Sequence, residues 1–72
     1  MMDLSKLPVG QSAHIKSVAG TDSLSQQIKE MGFVPGSHVT LLSRGPFRSP
    51  FIVSIRGTTI ALRKNEAERV LL

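Results

Sequence analysis

The segment Ile28-Lys29-Glu30-Met31-Gly32-Phe33-Val34-Pro35-Gly36-Ser37 encodes a helix stop, a tight turn and a strand start without a spare residue. Leu24, Ile28 and Met31 have helical spacing, and Gly32 follows the last of them, where glycine can take the left-handed conformation that ends a helix. Gly32 is therefore predicted at C′. That places Ile28 at C3 and Phe33 at C″, the pair that makes the hydrophobic contact of a Schellman motif, so Phe33 reads as structural. Val34-Pro35-Gly36-Ser37 then carries proline at i+1 and glycine at i+2, the chemistry of a type II turn. The chain passes directly into Val39-Thr40-Leu41.

Upstream, Thr21, Asp22 and Ser23 each offer an N-cap oxygen, and Ser23 with Gln26 has capping-box spacing. The helix is predicted at about nine residues, short enough to need docking through its Leu24, Ile28 and Met31 stripe. Leu7-Pro8-Val9-Gly10 leads to Ala13-His14-Ile15 much as Val34-Pro35-Gly36 leads to Val39, a reuse of turn chemistry to deliver a strand.

The second half reads as β. Phe51 to Arg56 and Thr59 to Arg63 form a hairpin if Gly57-Thr58 is a two-residue type II′ loop, with Arg56 opposite Thr59 and Ile55 opposite Ile60. Phe51, Val53, Ile55, Ile60 and Leu62 then share one face, and Ser54, Arg56, Thr59, Ala61 and Arg63 the other. The same alternation turns Ala13, Ile15, Val39 and Leu41 inward. It turns His14, His38, Thr40, Leu42 and Arg44 outward. Leu42 and Ile52 are apolar at outward positions, so either the helix covers them or they belong to a binding surface. With a last strand over Arg69 to Leu72, the expectation is a mainly β chain: about five short strands and one short α-helix in a small, partly open barrel.

Seventy-two residues make a single domain, 1–72, with a small core. The absence of cysteine excludes disulfides, thiolate zinc sites and cysteine nucleophiles, and the start Met1-Met2-Asp3-Leu4-Ser5-Lys6 lacks the regions of a signal peptide. No apolar run approaches the length of a membrane span, and the cytoplasm is the expected compartment. The formal net charge is +4, and between Met31 and Asn65 stand five basic residues, Arg44, Arg48, Arg56, Arg63 and Lys64, with no acid. Such a block suits nucleic acid, an anionic membrane surface or an acidic partner, or is simply a solvated face.

There is no phosphate-cradling glycine loop and no cluster of carboxylates suited to acid–base work, so an enzyme is not expected. No cofactor is implied. His14 and His38 are weak metal candidates, since a resident divalent ion usually takes three or more protein ligands. With no Trp or Tyr, capture of proline-rich peptides or of single-stranded nucleic acid lacks its aromatic rings. The best contact surface is Arg44-Gly45-Pro46-Phe47-Arg48-Ser49-Pro50, whose prolines stiffen it around Phe47. Phe47 either projects outward between Arg44 and Arg48 or folds back to plug one end of the barrel.

The chain as a whole resembles the FeoA family of bacterial ferrous iron transport. The resemblance rests on Leu7-Pro8-x-Gly10, on Ile28-x-x-Met31-Gly32-Phe33-x-Pro35-Gly36-x-x-Val39, on Pro46-Phe47-x-x-Pro50-Phe51-x-Val53 and on Arg56-Gly57-x-x-Ile60-Ala61-Leu62-Arg63-x-x-Glu66-Ala67. It departs at Arg48-Ser49, where relatives often carry glycine or an acid. The resemblance implies an SH3-like barrel and a non-enzymatic accessory role beside FeoB, the membrane Fe(II) transporter with a cytoplasmic GTP-binding domain. Partner contacts are expected at Arg44, Phe47 and Arg48, on the outer face through Arg56 and Arg63, and at Leu42 and Ile52. Contact with FeoB would bring the protein to the inner membrane face without spanning the membrane. A small basic barrel that binds nucleic acid is the alternative, and the oligomeric state is open.

Overall fold

The structure is a computed structural model describing residues 2–72, with Arg48 described through its backbone alone. In chain order, the strands are β1 (Ser12–His14), β2 (Ser17–Val18), β3 (His38–Arg44), β4 (Phe51–Ile55), β5 (Thr58–Leu62) and β6 (Val70–Leu71). Helix α1 (Ser23–Glu30) lies between β2 and β3, and α2 (Lys64–Ala67) between β5 and β6. Short 3-10 turns occur at Leu4–Lys6 and Pro46–Arg48. Four strands form an antiparallel sheet in the order β1-β3-β4-β5, and β2 pairs with β6 in a second, two-stranded sheet. The architecture is mainly β and open, as expected, with β2 and α2 added. Both were too short to show a period.

The stop and turn form as the sequence dictates. Gly32 stands at C′ with φ +108°, and its N–H donates to Lys29 O at 3.0 Å. Ile28 and Phe33 are both fully buried in the one core cluster. Gly36 has φ +89°, and the Ser37 N–H closes the turn onto Val34 O at 3.0 Å.

Of the three expected N-cap candidates Asp22 is the one used, its Oδ1 accepting from the Ser25 N–H at 3.2 Å, so the capping-box spacing of Ser23 with Gln26 does not define the start. The buried stripe also differs from the expected one. Leu24 is half-buried, Ile28 buried and Met31 exposed, while Ser25 is fully buried. Ser25 tolerates burial because its hydroxyl has partners on both sides, donating to Ala19 O at 2.6 Å and accepting from Arg69 Nη1 at 2.9 Å. Arg69 also bonds Asp22 Oδ1 at 2.5 Å, so one guanidinium fastens the segment before β6 to the start of α1.

The hairpin turns one residue earlier than expected. Its loop is Arg56-Gly57, both with positive φ (51° and 79°), as in a type I′ turn. The register becomes Ile55 opposite Thr58, Val53 opposite Ile60 and Phe51 opposite Leu62. Because the pairing slips by an even number, the predicted inner set keeps its face. Phe51, Val53, Ile55 and Leu62 are at most 1% exposed. They join Val39, Leu41, Leu4, Leu7, Ile15, Val18, Ile28, Phe33, Ala67 and Val70 in the core, with Ile60 packed against it.

The larger departure is in β3. Leu41 pairs with Val53, but Ser43 pairs with Ile52 and Arg44 with Phe51, so Leu42 and Ser43 together oppose one residue of β4. A β-bulge of this kind reverses the alternation beyond it. Arg44 consequently shares the face of Phe51 rather than pointing outward.

Candidate functional site

The outer face of the four-stranded sheet is organised in rows by its register. At one end β1 and β3 place His14 opposite His38, both exposed, with ring centroids 5.3 Å apart. The next row crosses all four strands as Ser12, Thr40, Ser54 and Thr59, a band of hydroxyls in which Ser12 Oγ and Thr40 Oγ1 lie 2.6 Å apart. The last row is apolar: Leu42 at the bulge, then Ile52, then Ala61. Leu42 is 45% exposed, Ile52 is half-buried and Ala61 is exposed. Helix α1 packs on β2 and α2, away from this face. Of the two placements open for Leu42 and Ile52, cover by the helix is therefore not the one observed.

Beside the apolar row, the chain leaves β3 into the loop 45–50. The Gly45 N–H donates to Pro50 O at 2.8 Å, and Ser49 N–H to Pro46 O at 3.3 Å, so the loop is closed at its base. A Cβ on Gly45 would lie 2.5 Å from Ser49 O, an approach no other residue permits. Phe47, at the tip, has φ +58° and is 99% exposed. It does not plug the barrel. A phenylalanine in the left-handed region is conformationally unfavourable, and full exposure gives it no compensating burial.

The predicted arginines disperse. Arg44 is turned in: its Nη2 donates to Leu7 O at 2.7 Å, and its guanidinium carbon lies 5.6 Å from the Phe51 ring centroid. It ties the base of the loop to the N-terminal segment, with Nε buried and without a partner. Arg56 occupies the hairpin loop rather than a strand, its Cδ close to Gly32 at the end of α1. Arg63 stands just outside β5 and precedes α2, where its N–H donates to Glu66 Oε1 at 2.7 Å. The side chain of Arg48 lies outside what the structure describes. The expected basic outer strand face is thus divided, because the bulge and the earlier turn move Arg44 and Arg56 off it.

Sequence reasoning missed the fastening of Asp22, Ser25 and Arg69. The hydrogen bond from Arg69, followed by those from Ser25, holds the Asp22 carboxyl below its ordinary pKa of 3.8. The one signal available was the N-cap position of Asp22. Among the described residues no three His, Cys, Asp or Glu side chains cluster as metal ligands, and no helix is long and apolar enough to cross a membrane.

The model of the FeoA domain family matches residues 2–72. A fusion of Fe(2+) transport protein A with the Fe(2+) transporter FeoB from Porphyromonas gingivalis is 35% identical over 69 residues, 96% of this chain. The chain spans only 8% of the length of that fusion protein. Among solved structures, zinc-complexed FeoA of Stenotrophomonas maltophilia, described as a prokaryotic SH3 domain protein, is 37% identical with a TM-score of 0.88. That match covers 99% of this chain and 88% of the other. Iron(II) transport protein A of Clostridium thermocellum is 35% identical with a TM-score of 0.89, over 96% of this chain and 43% of that one. The expected SH3-like architecture is the one observed.

Proposed function

Because the chain belongs to the FeoA family, we propose that it serves ferrous iron uptake as a non-enzymatic, cytoplasmic accessory protein that acts by contact with the cytoplasmic part of a FeoB transporter. The existence of a FeoA–FeoB fusion in a relative supports the pairing, since fused chains function at one place and in fixed ratio. The observation that carries the surface is Phe47, fully exposed at the tip of a loop closed by the Gly45–Pro50 hydrogen bond. An aromatic side chain held outward by a stiff loop loses little entropy on docking and supplies a large apolar area, the usual anchor of a small interface. Leu42, Ile52 and Ala61 form the apolar end of the sheet's outer face, at the end of β3 from which this loop leaves, with Arg48 on the same loop. Arg44 acts in this reading by holding the loop base, not by touching the partner. Arg56 and Arg63 stand at the margins.

The test is a binding measurement between the purified chain and the cognate full-length transporter in detergent. The wild type is expected to bind, and Phe47→Ala to weaken binding by about 30-fold, the effect of losing one interface anchor. If the wild type does not bind, the proposed partner is wrong. If Phe47→Ala and Leu42→Asp bind as the wild type does, the partner stands and the assigned surface falls.

A further inference from the structure

His14 and His38 are brought together by register alone, 24 residues apart in sequence and directly opposite on β1 and β3. The backbone bonds flanking them run between Ile15 N–H and Ser37 O at 2.8 Å and between Leu41 N–H and Gln11 O at 3.0 Å. Hydrogen-bonded pairs therefore fall at Ile15 with Ser37 and at Gln11 with Leu41, so His14 and His38 form a non-hydrogen-bonded pair. In such a pair the side chains stand closest. The neighbouring row helps to fix the strands, because Ser12 and Thr40 meet through their hydroxyls at 2.6 Å on the same face.

Two imidazoles bound to one ion at ~2 Å per nitrogen, with a near-tetrahedral angle between them, place their ring centroids about 5 Å apart. The observed separation is 5.3 Å, with the rings inclined at 61°. We propose that His14 and His38 form a cross-strand chelate for a borderline divalent transition-metal ion, with the remaining coordination positions open to water or to a donor from a second molecule. Imidazole nitrogen selects Cu²⁺, Ni²⁺ and Zn²⁺ over Fe²⁺ and Mn²⁺, and has little affinity for Mg²⁺. No third His, Cys, Asp or Glu joins the pair among the described residues, which is why the positions stay open. The chelate is exchangeable rather than structural. It lies on the opposite end of the outer face from Leu42 and Ile52, so it is separate from the proposed transporter contact.

The experiment is a titration of the tag-free chain with Zn²⁺ alone by calorimetry, and with paramagnetic Ni²⁺ followed by NMR. One saturable site is expected with a Kd of about 10–100 μM, weaker than three- and four-ligand structural sites. Resonance broadening should centre on His14 and His38. His14→Ala and His38→Ala should each weaken Zn²⁺ by about 10-fold or more, because loss of one ring removes the intramolecular second contact. Both residues are exposed, so folded variants are expected, and unchanged NMR spectra elsewhere check this. A stoichiometry of one ion per two chains, lost in either variant, also supports the chelate and identifies a second copy as the outside donor. Absence of saturable Zn²⁺ binding, binding that survives either substitution, broadening centred elsewhere, or equal competition by Mg²⁺ overturns it.

Discussion

The segment from Ile28 to Ser37 and the loop 45–50 use the same ingredients, a phenylalanine, glycine and proline, to opposite ends. In the first, positive φ falls on Gly32 and Gly36, and Phe33 is fully buried. In the second, positive φ falls on Phe47 itself, which is 99% exposed, while Gly45 serves a close approach to Ser49 O. Local preference and packing agree throughout the first segment, which is what a chain folded for stability looks like. At Phe47 they conflict, and such conflicts collect where the chain meets something else.

The largest effect that would sharpen this contrast is Phe33→Ala, expected to lower stability by about 3–5 kcal/mol in urea unfolding, as for a buried aromatic truncated in a core. Next is Gly45→Ala. Its methyl cannot be accommodated beside Ser49 O, so the loop must open, at a cost of about 1–3 kcal/mol, with amide shifts confined to the loop. Phe47→Gly should move the other way, leaving stability unchanged or raising it by up to about 1 kcal/mol through relief of the left-handed conformation. A clear loss of stability in that variant would break the comparison by making Phe47 structural.

The smallest effect concerns the other end of the helix that Gly32 terminates. Asp22 has its pKa lowered in the folded chain, so the unfolded chain binds its proton first as pH falls. Its contribution is present above the ordinary value of 3.8 and fades as pH drops through the lower folded value. Asp22→Asn keeps a capping oxygen but should flatten the acid limb of a stability-versus-pH curve measured below about pH 4. An unchanged limb would mean that the pairing with Arg69 adds nothing.

The inner face is legible because period-two alternation survives an even slip: Phe51, Val53, Ile55, Ile60 and Leu62 keep their side although the hairpin turns one residue before Gly57-Thr58. Gly57 suits the first position of a type II′ loop, whereas the chain puts Arg56 there in a left-handed conformation that nothing in its chemistry advertises. The bulge was hidden for a similar reason, since Leu42 continues the apolar run after Leu41 and gives no sign of the doubled position. Alternation turns both histidines outward, but their direct opposition depends on a register between strands far apart in sequence. The candidate loop was legible as a stiff segment, and the orientation of Phe47 was not. The bonds of Arg44 to Leu7 and of Arg69 to Asp22 and Ser25 are long-range, and no local pattern encodes them.

The doubled position in β3 also determines how the chain tolerates changes in length. In an ordinary strand, loss of one residue exchanges the faces of everything that follows. Here Leu42 and Ser43 share one partner, Ile52, so deletion of either leaves a regular strand with Leu41 still opposite Val53 and Arg44 still opposite Phe51. A one-residue deletion at this place keeps the core set intact, and loss of Leu41 is equivalent because Leu42 takes its position opposite Val53, while loss of Val39 or Thr40 removes or displaces an inward residue of β3. Sequences of differing length at the end of β3 are therefore compatible with one inner face.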